Sequence, residues 1–150
     1  MDAVTYPNEK VAEFIEKNFI PLRVAFDAQP LASDFKVTWT PTLVIVDANG
    51  QEHHRTVGFL SPEELIPSLL LGMTKSHFDQ NQFDAALSLL EKLLTGYPKS
   101  DAAPEAIDLR GVSQYKNTHS AKPLKEAYEQ LQKAYPSSEW TRRAAPYRLL

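Results

Sequence analysis

The stretch between Thr40 and Phe59 constrains the fold more than any other part of the chain. Thr42 to Val46 is a continuous apolar, β-branched run, which is typical of a strand buried on both faces. Asp47-Ala48-Asn49-Gly50 follows it, and Asn-Gly supplies the positive φ angles of tight hairpin turns. The more polar stretch Gln51 to Phe59 predicts a second strand nearer a sheet edge. Together these residues predict an antiparallel β-hairpin.

Helices and one further strand are predicted before the hairpin. Asn8 is a candidate N-cap, and the apolar spacing behind it predicts a helix over 8–18. Pro21 ends that helix, because proline cannot continue the helical hydrogen bonds. Alternating apolar side chains then predict a strand over 22–26. A short helix is expected over 31–35.

The second half of the chain is predicted to be helical and to contain a repeat. Ser61-Pro62-Glu63-Glu64 combines a capping residue, a proline at the first helical position and a capping box, and so predicts a helix start. Further amphipathic segments follow it to the end of the chain. Tyr97-Pro98-Lys99-Ser100 matches Tyr135-Pro136-Ser137-Ser138 at an offset of 38 residues. A regular offset of this size indicates repeated helical units.

The first half resembles the thioredoxin superfamily. The segment Val37-Thr38-Trp39-Thr40-Pro41-Thr42 with its following strand is similar to the segment around that family's cis-proline, and Gly50 to Phe59 is similar to its closing hairpin. The thioredoxin-like C-terminal domain of thiol:disulfide interchange proteins is the most similar type. The resemblance implies a thiol–disulfide oxidoreductase or protein-folding type of protein. It also implies that Trp39, Thr40 and Pro41 contact an extended client peptide, with a cis bond before Pro41.

The same resemblance implies that part of the family's fold lies outside this sequence. Met1 to Pro7 is similar to the stretch just after the second cysteine of the family's C-x-x-C helix. The chain is therefore expected to begin inside the active-site helix and to lack the strand before it. We interpret this as an N-terminal truncation. As given, with no secretory signal at Met1, the chain is expected in the cytoplasm.

The repeat resembles tetratricopeptide-like helical repeats, with four residues beyond their usual period of about 34. The predicted fold class is therefore an incomplete α/β thioredoxin-like domain over 1–72, lacking its first central strand, followed by all-α tetratricopeptide-like repeats over 73–150. The repeats either form a groove for a peptide or protein, or only support the first domain. With Gly72 alone between the two regions, they are expected to pack together.

Cysteine is absent from the chain, which excludes disulfides, thiolate metal sites and a cysteine nucleophile within it. His53 and His54 are neighbours on a predicted strand, so their side chains are expected on opposite faces and cannot easily share a metal. His77 and His119 have no ligand partners at a useful spacing. We therefore predict no catalytic residue, no metal site and no cofactor.

Charge and hydropathy limit the classes of partner. The net charge is −3, and the densest positive group, Arg142, Arg143 and Arg148, is interpreted as a solvated helix end. A nucleic-acid surface needs clustered Lys and Arg, so no nucleic-acid partner is predicted. The apolar runs are too short for membrane insertion. A protein or peptide partner remains, and self-association through exposed strand edges is possible.

Two functions from different classes follow. The first is a thioredoxin-type thiol–disulfide protein that is redox-inactive as given. The alternative is a cysteine-free binding module built from the thioredoxin scaffold and the repeats. In either, removal of the central strand leaves strands 22–26 and 42–46 without their neighbour. We expect these two strands to pair directly or the half-domain to fold only marginally, while a second copy could also supply a strand.

Overall fold

The computed structural model describes residues 1–150. Its elements in chain order are α1 (Glu9–Asn18), α2 (Leu31–Asp34), β1 (Thr42–Val46), β2 (Glu52–Val57), α3 (Pro62–Asp79), α4 (Phe83–Gly96), α5 (Ala103–Thr118), α6 (Lys122–Ala134), α7 (Glu139–Arg143) and a 3-10 helix (Ala145–Leu149). Two strands form one small sheet, and helices make up the rest. None of the helices combines the length and the apolar character that crossing a bilayer requires.

Helix α1 begins where the sequence predicts it. The Asn8 side chain accepts hydrogen bonds from the backbone N–H groups of Lys10 and Val11, so two otherwise unpaired donors of the first turn are satisfied. Val11 is fully buried against α3 and anchors the helix to the core. The Thr5 hydroxyl donates to the carbonyl of Leu60 at 2.6 Å, which ties the N-terminus to the start of α3.

The predicted hairpin forms, with two corrections. β1 and β2 pair antiparallel, and the register shifts between Ile45 and Val46, which face His54 and Glu52. His53 therefore has no partner residue on β1 and forms a β-bulge. β1 is only partly buried, and Val46 is 42% exposed. Burial on both faces was the wrong prediction, because α3 is the only element other than β2 that contacts β1.

The predicted strand over 22–26 is also wrong. These residues form no sheet pairing, and the two predicted strands do not close up on each other. The apolar side chains of Leu22 and Phe26 are 79% and 70% exposed. The reason is that a strand is stable only with a hydrogen-bonded neighbour, and alternating apolar residues cannot supply one.

A long helix, α3, carries the core. It runs without interruption through Gly72, so the two halves of the chain share one helix. Ser61 is its N-cap but makes no side-chain capping bond, which corrects the predicted capping box. Glu64 instead accepts a hydrogen bond from the backbone N–H of Asp101 at 3.0 Å, just before α5. The start of α3 is thus held by hydrogen bonds to Thr5 and Asp101 rather than by a side-chain cap.

Helices α3 to α6 form two consecutive antiparallel pairs, α3 with α4 and α5 with α6, and α4 also packs on α5. Matching residues turn the chain within each pair: Asn81 and His119 have φ angles of 59° and 57°. Tyr97 and Tyr135 end α4 and α6 with nearly identical backbone angles. The repeated sequence around these tyrosines therefore has a repeated local structure.

Candidate functional site

An open cleft lies at the beginning of the hairpin. Its volume is about 390 Å³, and its lining residues are Phe26, Val37, Thr38, Trp39 and Thr40. Trp39 and Phe26 are 68% and 70% exposed, so two large apolar residues face solvent at one place. Exposed aromatic rings around a concave surface are the usual anchors of protein and peptide recognition.

The loop from Thr38 to Pro41 forms one wall of this cleft and is fixed at its C-terminal end. The Thr42 hydroxyl donates to the Trp39 carbonyl at 2.6 Å, and the backbone N–H of Gly58 donates to the Pro41 carbonyl at 2.8 Å. The Thr40–Pro41 peptide bond is cis. The backbone groups of Thr38 and Thr40 have no hydrogen-bond partner within the chain. An extended ligand therefore finds free donors and acceptors beside the two aromatic rings.

The sheet next to the cleft has an open edge. β1 pairs with β2 on one side, and none of its backbone groups has a partner on the other side. The segment 22–26 forms no sheet pairing either, and its backbone makes one hydrogen bond within the chain, from the Ala28 N–H to the Ala25 carbonyl at 3.1 Å. Unpaired strand edges are templates for pairing with another chain. The cleft and the β1 edge follow each other directly along the sequence.

The first half of the chain is similar to a known protein family. Residues 1–71 match the family model of the thioredoxin-like domain. No curated protein and no solved structure gives a significant match to the chain. The match covers α1 to the middle of α3, and so includes the hairpin and the cleft. The thioredoxin-like resemblance of the first half is thus confirmed.

The predicted site residues lie in or beside one cleft. Trp39 and Thr40 line it, and Pro41 follows them at the start of β1. Sequence reasoning missed Phe26, which was assigned to a strand, and Val37. The signal for Phe26 was its position next to the turn at Asp27, where an apolar residue can remain on the surface. No group of three or more metal-ligating side chains is present.

A polar seam connects the sheet with the helices and was not foreseen. His54 Nε2 lies 3.2 Å from Ser68 Oγ, and Lys75 Nζ lies 3.4 Å from His54 Nδ1. Lys75 in turn pairs with Glu105 of α5 at 2.5 Å. Burial, and secondarily the charge of Lys75, lower the pKa of His54 to about 4, so the ring is neutral at pH 7. The seam thus runs from β2 across α3 to α5.

His53 reaches the same helix. Its Nδ1 lies 2.6 Å from Asp79 Oδ2, and its Nε2 lies 3.2 Å from Asp47 Oδ2. Ser68, Lys75 and Asp79 occupy one stripe of α3 at helical spacing. The prediction that the two histidines point to opposite faces is therefore wrong, because the bulge turns His53 toward α3.

Proposed function

We propose that this chain binds an extended polypeptide segment at the Trp39–Pro41 loop and does not itself exchange disulfides. The observation that carries the proposal is the cleft, in which the exposed rings of Trp39 and Phe26 lie beside the free backbone groups of Thr38 and Thr40. Backbone pairing gives sequence-tolerant affinity, and the aromatic rings select apolar side chains. A thiolate is required for disulfide exchange, and the chain has no cysteine.

The helical region belongs to the same proposal. Two features support tetratricopeptide-like repeats over 73–150: the offset of 38 residues between Tyr97 and Tyr135, and the matching ends of α4 and α6. Under this interpretation α3 is both the last helix of the thioredoxin-like domain and the first helix of the repeats. Two helix pairs make a short groove, so the main role proposed for them is to support the hairpin through α3.

The test uses Trp39 as its own reporter. The second tryptophan, Trp140, is replaced by phenylalanine so that emission comes from the loop alone, and reduced, S-carboxymethylated insulin B chain is the probe. We expect a blue shift on titration, because a bound peptide removes water from the indole. In a fluorescence-anisotropy assay with labelled probe, Trp39→Ala should weaken binding about tenfold or more, typical of an anchor residue.

Phe59→Ala is the matched control, because Phe59 is comparably exposed at 59% but does not line the cleft. It should bind the probe as the parent does. Equal losses in both variants would show that the probe adsorbs to any exposed ring. No shift at saturating probe, or unchanged binding by Trp39→Ala, would refute the proposal.

A second candidate is a thiol–disulfide oxidoreductase that acts once a C-x-x-C segment is joined to this scaffold. The unpaired β1 edge favours it, since an added strand would find free backbone groups there. The chain as it stands should give only the background rate of insulin reduction by dithiothreitol. A version preceded by a strand and a C-x-x-C helix start should exceed that rate, and its serine variant should not.

A further inference from the structure

The ring of His53 is enclosed between two carboxylates. Its side chain is only 1% exposed, and each ring nitrogen faces a carboxylate oxygen, of Asp79 at 2.6 Å and of Asp47 at 3.2 Å. A neutral imidazole carries one N–H and therefore donates to one of them only. Both contacts are hydrogen bonds only when the ring is protonated. The geometry is therefore complementary to the imidazolium form.

The two carboxylates belong to the two elements that His53 would connect. Asp47 lies in the hairpin turn and Asp79 lies at the end of α3. Asp47 Oδ1 accepts hydrogen bonds from the backbone N–H groups of Asn49 and Gln51, at 2.8 and 3.0 Å, and so shapes the hairpin turn. Its other oxygen is left for His53. Asp79 is the last residue of α3, where the negative end of the helix dipole disfavours a carboxylate. A cation at this point offsets both negative groups.

We propose that His53 is a pH-sensitive latch that fastens the tip of the β1–β2 hairpin to the C-terminal end of α3 when protonated and releases it when neutral. The β-bulge is what makes the latch possible, because it supplies the extra residue that turns toward α3. This inference concerns the far end of the hairpin from the Trp39–Pro41 loop and stands independently of the proposed function.

The neighbouring charges are already paired elsewhere. Glu52, the adjacent residue on β2, forms a salt bridge with Arg55 at 2.6 Å. Lys75, one turn before Asp79 on α3, pairs with Glu105 and contacts the neutral ring of His54. Asp47 from the turn and Asp79 from α3 are thus the charged groups that face His53.

The pH window follows from the directions of the pKa shifts. The hydrogen bond to Asp79 raises the pKa of His53 above 6.5, against the opposing effect of burial, and Asp47 adds to the rise. A raised folded-state pKa gives stability that is complete below 6.5 and is lost as the pH rises through the raised value. Hydrogen bonds, first from Gln51 and then from His53, lower the pKa of Asp47 below 3.8, so that partner is lost only in strong acid. The latch is closed between these limits.

Nuclear magnetic resonance of the full chain tests the latch. The titration of the His53 ring should give a pKa above that of free histidine, and Asp79→Asn, which keeps the side-chain shape, should lower it. Amide protection factors of Asn49 and Gln51, corrected for intrinsic exchange, should fall several-fold between pH 6 and pH 9. His53→Gln should remove that pH dependence while the far-ultraviolet spectrum shows an intact fold.

Asp34→Asn is the control, since Asp34 is an exposed carboxylate on α2. It should leave both the His53 titration and the protection factors unchanged. A His53 pKa at or below 6.5 would overturn the proposal. So would turn protection that falls equally with pH in the parent and in His53→Gln, because a merely structural imidazole would not make the turn depend on pH.

Discussion

At the scale of single residues, two adjacent histidines have opposite protonation preferences. His54 is neutral because burial lowers its pKa to about 4 from 6.5. Between these values the unfolded chain binds the proton and the folded chain does not, so stability falls on acidification. We expect His54 to account for a loss of at most about 3 kcal/mol in the free energy of unfolding between pH 6.5 and 4. Urea unfolding at both pH values measures it.

The comparison variant for this prediction is His54→Gln, which has no proton to gain in this range and retains a group that can contact Ser68. Its free energy of unfolding should depend less steeply on pH than that of the parent. The difference between the two pH dependences gives the contribution of His54, because the carboxylates titrate in both proteins. Lys75→Met should raise the pKa of His54, because it removes the neighbouring positive charge. Parallel pH profiles in parent and variant would contradict the assignment.

At the scale of elements, the close approach of α5 to α6 depends on Gly111. A Cβ at this position would lie 2.7 Å from the Cβ of Ala127 and 2.9 Å from the backbone oxygen of Pro123. A backbone atom cannot move aside like the end of a long side chain, so the helices would have to separate. Gly111→Ala should therefore cost about 1–3 kcal/mol, measured by chemical unfolding.

Gly96→Ala is the matched control at the end of α4, since a Cβ there meets nothing within 4 Å. It should be neutral or slightly stabilising, because alanine is the better helix former. A comparable loss in both variants would contradict the prediction, because helix propensity favours alanine at both positions and the packing of α5 on α6 affects only Gly111.

The elements that the sequence predicts well are those whose cause is local. Asn8 caps α1 from two residues away, and Asn49-Gly50 turns the chain between β1 and β2. The segment 22–26 fails as a strand because its pairing partner is not a local property. The contacts of His53 and His54 with α3 were missed for a similar reason. A bulge is defined by the register of two strands, and no pattern within β2 alone reveals it.

At the scale of the whole molecule, the α3 helix joins two unequal structures. On one side it packs against Leu43 and Ile45 of a two-stranded sheet, and on the other against α4 and α5. Gly72 allows the first contact, because a Cβ there would lie 2.2 Å from Ile45 Cδ1. A cut at residue 72 would divide a continuous helix. The predicted close coupling of the two regions therefore has a direct structural basis.

Of the two structures joined by α3, the sheet has less buried apolar surface. β1 has one hydrogen-bonded neighbour, and the apolar side chains over 22–26 lie in solvent. We expect a strand added before Met1, with a C-x-x-C helix start whose cysteines are replaced by serine, to pair with the open edge of β1. Each new backbone hydrogen bond contributes about 1 kcal/mol, and the newly buried apolar area adds to it.

We therefore expect the extended chain to melt at a higher temperature and over a narrower range than the chain described here, as measured by calorimetry. The same strand with a proline at its centre is the control, since proline removes a ladder hydrogen bond and is poorly accommodated inside a sheet. Sedimentation shows whether each protein is a monomer or a dimer, and therefore whether a second copy of the chain can cover the open edge of β1. If the extended and original chains melt alike while the original chain is a dimer, a second copy already covers β1. If they melt alike as monomers, the β1 edge does not accept a strand, and binding at the Trp39–Pro41 loop must proceed without strand addition.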